Sequence, residues 1–207
     1  MIDIQYYIID TETTGFSEKL HEINEFSIIR CKDKVNLFKK VKCDHPESAS
    51  LDALRITRKT MEDLNFGISK SEACDIINRF LEMDNTNANA RCIVGHNVSF
   101  DRKFLFSMYE ECGKIFPANL WMDTVALTRF MYKKANIPSK GKLKLADACD
   151  FMKVKKINDA HQAKVDSKNT YLLWKNLMDS DINYIDFIKN VKQKSDEQYD
   201  FDMSDTE

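Results

Sequence analysis

The 207-residue sequence predicts an α/β fold in which helices flank a mixed β-sheet that begins with an antiparallel β-meander. Three β-rich segments come first, and a short polar turn joins the last two, as expected of a meander. Strand-like and helix-like segments then alternate, which is typical of α/β proteins. With 43% apolar residues, the chain can form the core of one globular domain.

The three meander strands are short apolar runs. Residues 6–9 have the composition of a buried strand, and residues 23–30 and 35–41 follow. The polar residues 31–34 form the turn between the last two runs. This arrangement predicts antiparallel pairing along the meander.

Helical segments begin after Pro46. Residues 48–64 contain short helical pieces, for which Ser50 and Thr60 are N-cap candidates, and residues 69–83 form an amphipathic helix. Residues 84–90 are predicted to be a polar loop and residues 91–95 a buried strand, and the helix that follows ends near residue 113. A strand is predicted at residues 120–123. Four helices come after it: 124–134, 145–152, about 163–178 and 181–193.

Charge divides the chain into a domain, residues 1–194, and an acidic tail, residues 195–207. The tail holds six of the 33 acidic residues and none of the 31 basic ones, so the domain has a net charge of +4. We expect the tail to be disordered. A mildly basic domain is compatible with a polyanionic partner.

The six cysteines are scattered and include no Cys-x-x-Cys pair. We expect free, mostly buried thiols and a reducing, intracellular and cytoplasmic setting. No apolar run approaches the roughly 18 residues of a membrane span, and no secretory signal is visible. The sequence therefore predicts no membrane partner.

Asp10 and Glu12 follow the first predicted strand. Side chains two apart on a strand point the same way, so both carboxylates face one site. Two adjacent carboxylates repel each other unless a cation lies between them, and a hard divalent ion is the simplest candidate. The pair alone is common by chance, and the case for a metal site depends on ligands supplied elsewhere.

Further candidates lie at the ends of later segments. Asp101 begins a helix directly after a strand, and Asp166 lies in a late helix, five residues after His161. Five residues turn a helix by roughly 140°, so His161 should precede the helix or lie in its first turn. A histidine there suits proton transfer better than rigid ligation. His96, by contrast, is expected to bond backbone groups.

Three motifs together resemble a known family: Asp10-x-Glu12, then His96-Asn97-x-x-Phe100-Asp101, then His161-x-Ala163-x-x-Asp166. Their order and spacing resemble the DEDDh 3′–5′ exonucleases, which include the proofreading subunit of bacterial DNA polymerase III. The resemblance covers about residues 4–178. It implies a ribonuclease-H-like fold with a mostly five-stranded sheet.

The resemblance also implies roles for these residues. The family binds two divalent ions, Mg²⁺ or Mn²⁺, and the resemblance implies that Asp10 would bridge them. Glu12 and Asp166 would bind the ion next to the nucleophile, and Asp101 would bind the other ion. His161 would be the general base that deprotonates the attacking water.

Candidates for substrate binding follow from the same resemblance. These residues would lie near the last nucleotide of a bound nucleic-acid strand: Thr11, Thr13, Phe16, Thr57, Asn97 and Phe100. The chain departs from the family at Thr57, Arg58 and Lys59, where many relatives carry His-Gly-Ile. Between residues 133 and 156 there are eight lysines and two aspartates, and we expect Lys140 and Lys142 to contact phosphates.

The implied activity is release of nucleoside 5′-monophosphates from single-stranded or frayed 3′ ends, with DNA favoured. Two alternatives remain open: an enzyme that trims RNA 3′ ends, and a catalytically weak module that binds ends and recruits other proteins. A polymerase or another replication protein could be a partner in trans.

Overall fold

The structure is a computed structural model that describes residues 3–141, 143–157 and 162–194. Within these ranges one mixed sheet has six strands. They are β1 (Gln5–Thr13), β2 (Ile23–Arg30), β3 (Asn36–Lys40), β4 (Arg91–Gly95), β5 (Leu120–Asp123) and β6 (Ile188–Asn190).

The spatial order of the strands is β3-β2-β1-β4-β5-β6. The first three pair antiparallel, which confirms the predicted meander, and β1, β4 and β5 run parallel. The register shifts at Glu12 and Thr13, where Glu12 lies opposite Glu25 but Thr13 lies opposite Ile23. Because parallel strands end at the same edge, the residues that follow β1, β4 and β5 are brought together there.

Six helices accompany the sheet in the described residues: α1 (Leu51–Thr57), α2 (Lys70–Glu82), α3 (Val98–Glu111), α4 (Thr124–Lys134), α5 (Leu145–Phe151) and α6 (Ala163–Met178). The start of α2 is capped as the sequence indicates, with the Ser69 side chain accepting the Glu72 N–H at 3.2 Å. Ser50 is at the N-cap position of α1. The Thr60 hydroxyl accepts the Asp63 N–H at 3.2 Å, but the N-cap residue of the short 3-10 turn at residues 63–65 is Glu62.

The central strand β1 is buried on both faces, because successive side chains alternate between two apolar layers. Tyr7 and Ile9 pack with residues of α2 and α3. Ile8 packs on the other face with Leu173 and Leu177 of α6. Even-numbered residues of β1 therefore face α6.

The prediction of a helix over residues 181–193 is wrong. Residues 184–187 form a 3-10 turn, and β6 then pairs antiparallel with β5, with Ile188 opposite Met122. Trp121 reinforces this edge by donating its indole N–H to the Val191 carbonyl at 3.0 Å. Without β6, that edge of β5 would leave its backbone groups unpaired, so sheet pairing outweighs local helix preference. The strand β6 is thus the sixth strand of the sheet.

The prediction of free, mostly buried thiols is confirmed. All six are free thiols, and four of them are buried: Cys43, Cys74, Cys92 and Cys149. In the part of the chain that the structure describes, no helix combines the length and apolar character that a membrane span requires.

Candidate active site

Three carboxylates meet at the carboxyl end of β1. Asp10 and Glu12 extend from β1 toward α6, and Asp166 lies in the first turn of α6. One oxygen of each of these three side chains lies within 4.8 Å of the others, a spacing that could hold a metal ion. The structure therefore brings together two sequence motifs that are more than 150 residues apart.

Packing and hydrogen bonds fix the start of α6 at this place. The Ser27 and Ser167 hydroxyls are 2.7 Å apart, which ties β2 to the residue after Asp166. One carboxylate oxygen of Glu25 accepts the backbone N–H of Ala163, the first residue of α6, at 3.0 Å. These contacts position Asp166 against β1.

Asp101 approaches from α3, on the opposite face of the sheet. It lies in the first turn of α3 and is only 5% exposed. Its Oδ1 atom accepts two hydrogen bonds from Thr11, one from the backbone N–H at 2.9 Å and one from the hydroxyl at 2.8 Å. Because Thr11 lies between Asp10 and Glu12, these bonds hold Asp101 at the same end of β1.

Burial and mutual repulsion make this group of carboxylates hard to ionise together. Burial, and then the charges of Asp101 and Glu12, raise the pKa of Asp10 well above its ordinary value. Burial raises the pKa of Glu12 to about 7, despite the opposing charge of Lys59. Burial also raises the pKa of Asp101 to about 7, against the hydrogen bonds from Thr11. Oxygen ligands in such surroundings fit a hard divalent cation, which would stabilise their charged forms.

Two residues beside this group were not found from the sequence. Glu25 lies opposite Glu12 in the β1–β2 register, and its second carboxylate oxygen is 3.2 Å from the Nζ atom of Lys59. Lys59 comes from the segment after α1, and its side chain is only 12% exposed. The sequence signal that could have pointed to Lys59 is the departure from the family resemblance at residues 57–59.

The predicted nucleotide-contacting threonines already have hydrogen-bond partners in the structure. Thr13 donates its hydroxyl to the Gly15 carbonyl at 2.7 Å, and Thr57 donates its hydroxyl to the Ala53 carbonyl at 2.9 Å. Both bonds organise the local backbone. The role of these threonines and of Thr11 in binding substrate stays a prediction.

The other predicted contacts lie nearer the surface. Phe16 is 70% exposed, whereas Phe100 packs on Phe104 with ring centroids 4.9 Å apart. Asn97 is exposed and has a left-handed backbone (φ +67°), which turns the chain from β4 into α3. Lys140 is exposed. The contacts of these residues with a nucleic-acid strand also stay predictions. His161 and Lys142 lie outside the described residues.

His96 bonds the protein on both ring nitrogens, in line with the structural role expected for it. Its Nε2 donates to the Leu143 carbonyl at 2.8 Å, and its Nδ1 is 2.9 Å from the Thr124 hydroxyl. Burial lowers the pKa of this imidazole. The ring therefore links the β4–α3 turn to the start of α4 and to the lysine-containing segment before α5.

Comparison with protein families gives a match over most of the chain. A family model described as Exonuclease (RNase_T) matches residues 7–174. This range includes all the carboxylates described above.

The chain is also similar to part of the PolC-type DNA polymerase III of several bacteria. It is 29% identical over 209 residues to that of Listeria welshimeri serovar 6b, an alignment covering 94% of this chain and 13% of the relative. It is 30% identical over 197 residues to that of Listeria monocytogenes, covering 89% of this chain and 12% of the relative. The chain thus spans about an eighth of the length of these relatives.

Solved structures share the fold at low sequence identity. E. coli exonuclease I in complex with a dA16 oligonucleotide superposes with a TM-score of 0.70 and 16% identity, covering 89% of this chain and 42% of that one. The nuclease domain of 3′hExo, a DEDDh family member bound to rAMP, gives a TM-score of 0.67 and 15% identity, covering 92% and 96%. These similarities confirm the ribonuclease-H-like fold.

Proposed function

Because this chain belongs to the exonuclease family, we propose that it is a metal-dependent 3′–5′ exonuclease of the DEDDh type. It would hydrolyse the last phosphodiester bond of a single-stranded or frayed DNA end and release a nucleoside 5′-monophosphate. Asp10, Glu12, Asp101 and Asp166 would be the metal ligands.

The convergence of Asp10, Glu12 and Asp166 carries this proposal, with Asp101 held beside them by Thr11. Half-buried carboxylates at this separation repel one another, so the site suits cations rather than structural hydrogen bonding. Two divalent ions bound there would stabilise the charge on the attacking and leaving oxygens during in-line hydrolysis. The protein's own task is to hold the four ligands in place from β1, α3 and α6.

His161 would act as the general base. In the sequence it is two positions before α6, the helix that contributes Asp166. An imidazole of ordinary pKa near 6.5 can accept a proton from the attacking water at neutral pH. Its loss should reduce the rate about 10²–10⁴-fold while strand binding is largely kept.

DNA is favoured as substrate by the relatives that align over nearly the whole chain. These are PolC-type DNA polymerases, and one solved neighbour is bound to a dA16 oligonucleotide. The alternative is RNA, since another neighbour is described as a 3′-exonuclease that recognises a histone mRNA stem-loop. The resemblance to polymerase-associated domains also supports a polymerase or another replication protein as a partner in trans.

A cleavage assay tests this proposal. Matched 5′-labelled single strands, one DNA and one RNA, are incubated with the protein in Mg²⁺, in Mn²⁺ or in chelator. We expect a metal-dependent ladder that shortens from the 3′ end, faster on DNA. The Asp10→Asn variant should produce no ladder, whereas Asp181→Asn, which changes a fully exposed carboxylate paired with Lys134, should keep the wild-type rate.

Two results would contradict the proposal. Wild-type cleavage by Asp10→Asn would show that the acidic group is not the catalytic centre. Tight strand binding without cleavage in either metal would instead favour the end-binding module. A faster ladder on RNA would retain the mechanism and change the substrate.

A further inference from the structure

We propose that Lys59, paired with Glu25, is a positioning residue that keeps a fixed positive charge beside Glu12 and sets how tightly the acidic centre binds divalent ions. This inference rests on the proposed metal-dependent function and concerns a residue outside the family's motifs.

The geometry places the Lys59 ammonium in a closed environment next to the centre. Its Nζ atom is 3.2 Å from Glu25 Oε2 and also contacts the Asn24 side-chain oxygen. The Lys59 and Glu25 side chains are only 12% and 7% exposed. Because Glu25 lies directly opposite Glu12 across the β1–β2 ladder, this ion pair borders the carboxylate group.

The backbone holds Lys59 in this position. Arg58 ends α1 in a left-handed conformation, with φ +56° and ψ +34°. The N–H groups of Arg58 and Lys59 both donate to the Leu54 carbonyl, and Leu54 is itself buried. The turn is therefore anchored to the domain, and the Lys59 side chain leaves it toward β2.

The charge of Lys59 acts mainly at one end of the centre. Among the neighbouring charges, Lys59 has the largest effect on Glu12, whose pKa it lowers. Around Asp10 the largest effects are those of Asp101 and Glu12, which raise the pKa of Asp10. A cation bound by Glu12 would therefore experience the positive charge of Lys59.

Glu25 connects Lys59 to the helix that carries the metal-ligand candidate Asp166. One of its oxygens accepts the Ala163 N–H at 3.0 Å, and the other meets Lys59 at 3.2 Å. Since Ala163 begins the helix that carries Asp166, the pair connects the segment after α1 to the third ligand. Lys59 could thus act in two ways: through its charge, or only by keeping Glu25 and α6 in place.

These two actions predict different signs when single charges are removed. Lys59→Met leaves the negative charge of Glu25 unbalanced, which should attract a divalent ion more strongly. Glu25→Gln leaves the positive charge of Lys59 unbalanced, which should repel it. A pair that only supports the fold would weaken metal binding in both variants.

The experiment measures Mn²⁺ binding to the full chain by titration calorimetry, without substrate. We expect Lys59→Met to tighten binding by at least about fivefold, Glu25→Gln to weaken it by a similar factor, and the double variant to lie near wild type. Lys59→Arg should stay near wild type because it keeps the charge. Lys189→Met, which removes an exposed lysine on β6, is the control for a general change in net charge.

Weaker binding in both single variants, or unchanged binding in Lys59→Met, would overturn the inference. If Lys59→Met does not fold, the double variant decides the question, because it should bind Mn²⁺ more tightly than Glu25→Gln alone. Equal binding by those two would also overturn it. A wild-type protein that binds no Mn²⁺ would instead contradict the proposed function, so the two failures are distinguishable.

Discussion

Thr11 and Asp101 are 90 residues apart in the sequence, yet a single oxygen of Asp101 accepts both the backbone N–H and the hydroxyl of Thr11. The two carboxylates that flank Thr11 on β1 point to the other face of the sheet. The strand thus presents Asp10 and Glu12 directly, and holds Asp101 through the residue between them. The structure therefore gives a reason for a threonine between the two carboxylates of the first motif, which is that it positions Asp101.

Thr11→Val should weaken divalent metal binding about 10-fold, because a hydrogen bond to a charged group is worth roughly 1.5–3 kcal/mol and the backbone bond remains. Valine keeps the shape and removes the hydroxyl. The measurement is Mn²⁺ titration by calorimetry. Thr13→Val is the matched control, since the Thr13 hydroxyl bonds the Gly15 carbonyl and no metal-ligand candidate. Equal weakening by both variants would contradict this role of Thr11.

The sequence predicts the strands and helices well where the hydrophobic pattern is strong. The meander, β4, β5 and the helices through residue 178 form as expected, because their apolar faces have only one way to be buried. The last segment fails because a short edge strand is specified by its partner rather than by its own pattern. Ile188 pairs with Met122, a relationship visible only in three dimensions.

Only the residues of the candidate site that belong to the sequence motifs could be predicted from the sequence. Asp10, Glu12 and Asp166 are close together as the family resemblance implies. Lys59 and Glu25 were missed because their proximity arises from the left-handed turn at Arg58 and from the β1–β2 register. Neither feature leaves a local pattern of spacing in the sequence.

The metal-free protein should lose stability as the pH rises from about 5 to about 7.5. The pKa values of Glu12 and Asp101 are raised to about 7, chiefly by burial, and the pKa of Asp10 is raised as well. In this window the folded state keeps protons that ordinary carboxyl groups of the unfolded chain, with pKa near 4, have released. Bound protons favour folding there, and their loss at higher pH lowers the free energy of unfolding.

Melting temperatures in chelator and in Mn²⁺, at pH 5.5 and 7.5, check this sign. Mn²⁺ should raise the melting temperature more at pH 7.5 than at pH 5.5, because fewer protons compete with the ion for the carboxylates. His96 gives an opposite slope near pH 6.5, because burial lowers its pKa. The comparison with Asp10→Asn separates the two effects, since this variant should be more stable than wild type at pH 7.5 in chelator. The prediction would be contradicted if, in chelator, the melting temperature of the wild type rose relative to that of Asp10→Asn between pH 5.5 and pH 7.5.

Lys70→Met should lower the free energy of unfolding by about 3 kcal/mol, because removing one partner from a buried ion pair leaves an uncompensated charge. Lys70 contacts Glu22 and Glu111, and its side chain is 12% exposed while that of Glu22 is 6% exposed. Urea unfolding measures the loss. Lys114→Met removes a lysine that is 26% exposed from its pair with the exposed Asp75, and it should cause a much smaller loss. Similar losses in both variants would show that burial of the Lys70 pair is not the cause.

Replacing Lys140 and Lys142 together by glutamine should weaken single-strand binding equally for different sequences. Two lost phosphate contacts should reduce the slope of log K against log salt by about 1.4. Fluorescence anisotropy at several salt concentrations measures both quantities. Replacing the exposed Lys32 and Lys189 by glutamine changes the net charge equally and serves as the control. An unchanged salt slope in the Lys140 and Lys142 variant would remove this segment from the proposed strand-binding surface.

Arg58→Gly should raise the free energy of unfolding by about 0.5–1 kcal/mol. Arg58 has φ +56°, a left-handed conformation that costs a residue with a Cβ atom roughly 1–2 kcal/mol and that glycine adopts readily. The greater freedom of glycine in the unfolded chain and the loss of the contacts of the Arg58 side chain offset part of this gain.

Thermal unfolding measures this effect, with an expected increase in melting temperature of about 1–4 °C for a chain of this size. Arg55→Gly is the matched control, since Arg55 lies inside α1 with a right-handed backbone and glycine there should cost about 1 kcal/mol. The two arginines are three residues apart, so opposite signs would isolate the backbone conformation as the cause. A decrease in both variants would mean that contacts of the Arg58 side chain outweigh its backbone strain.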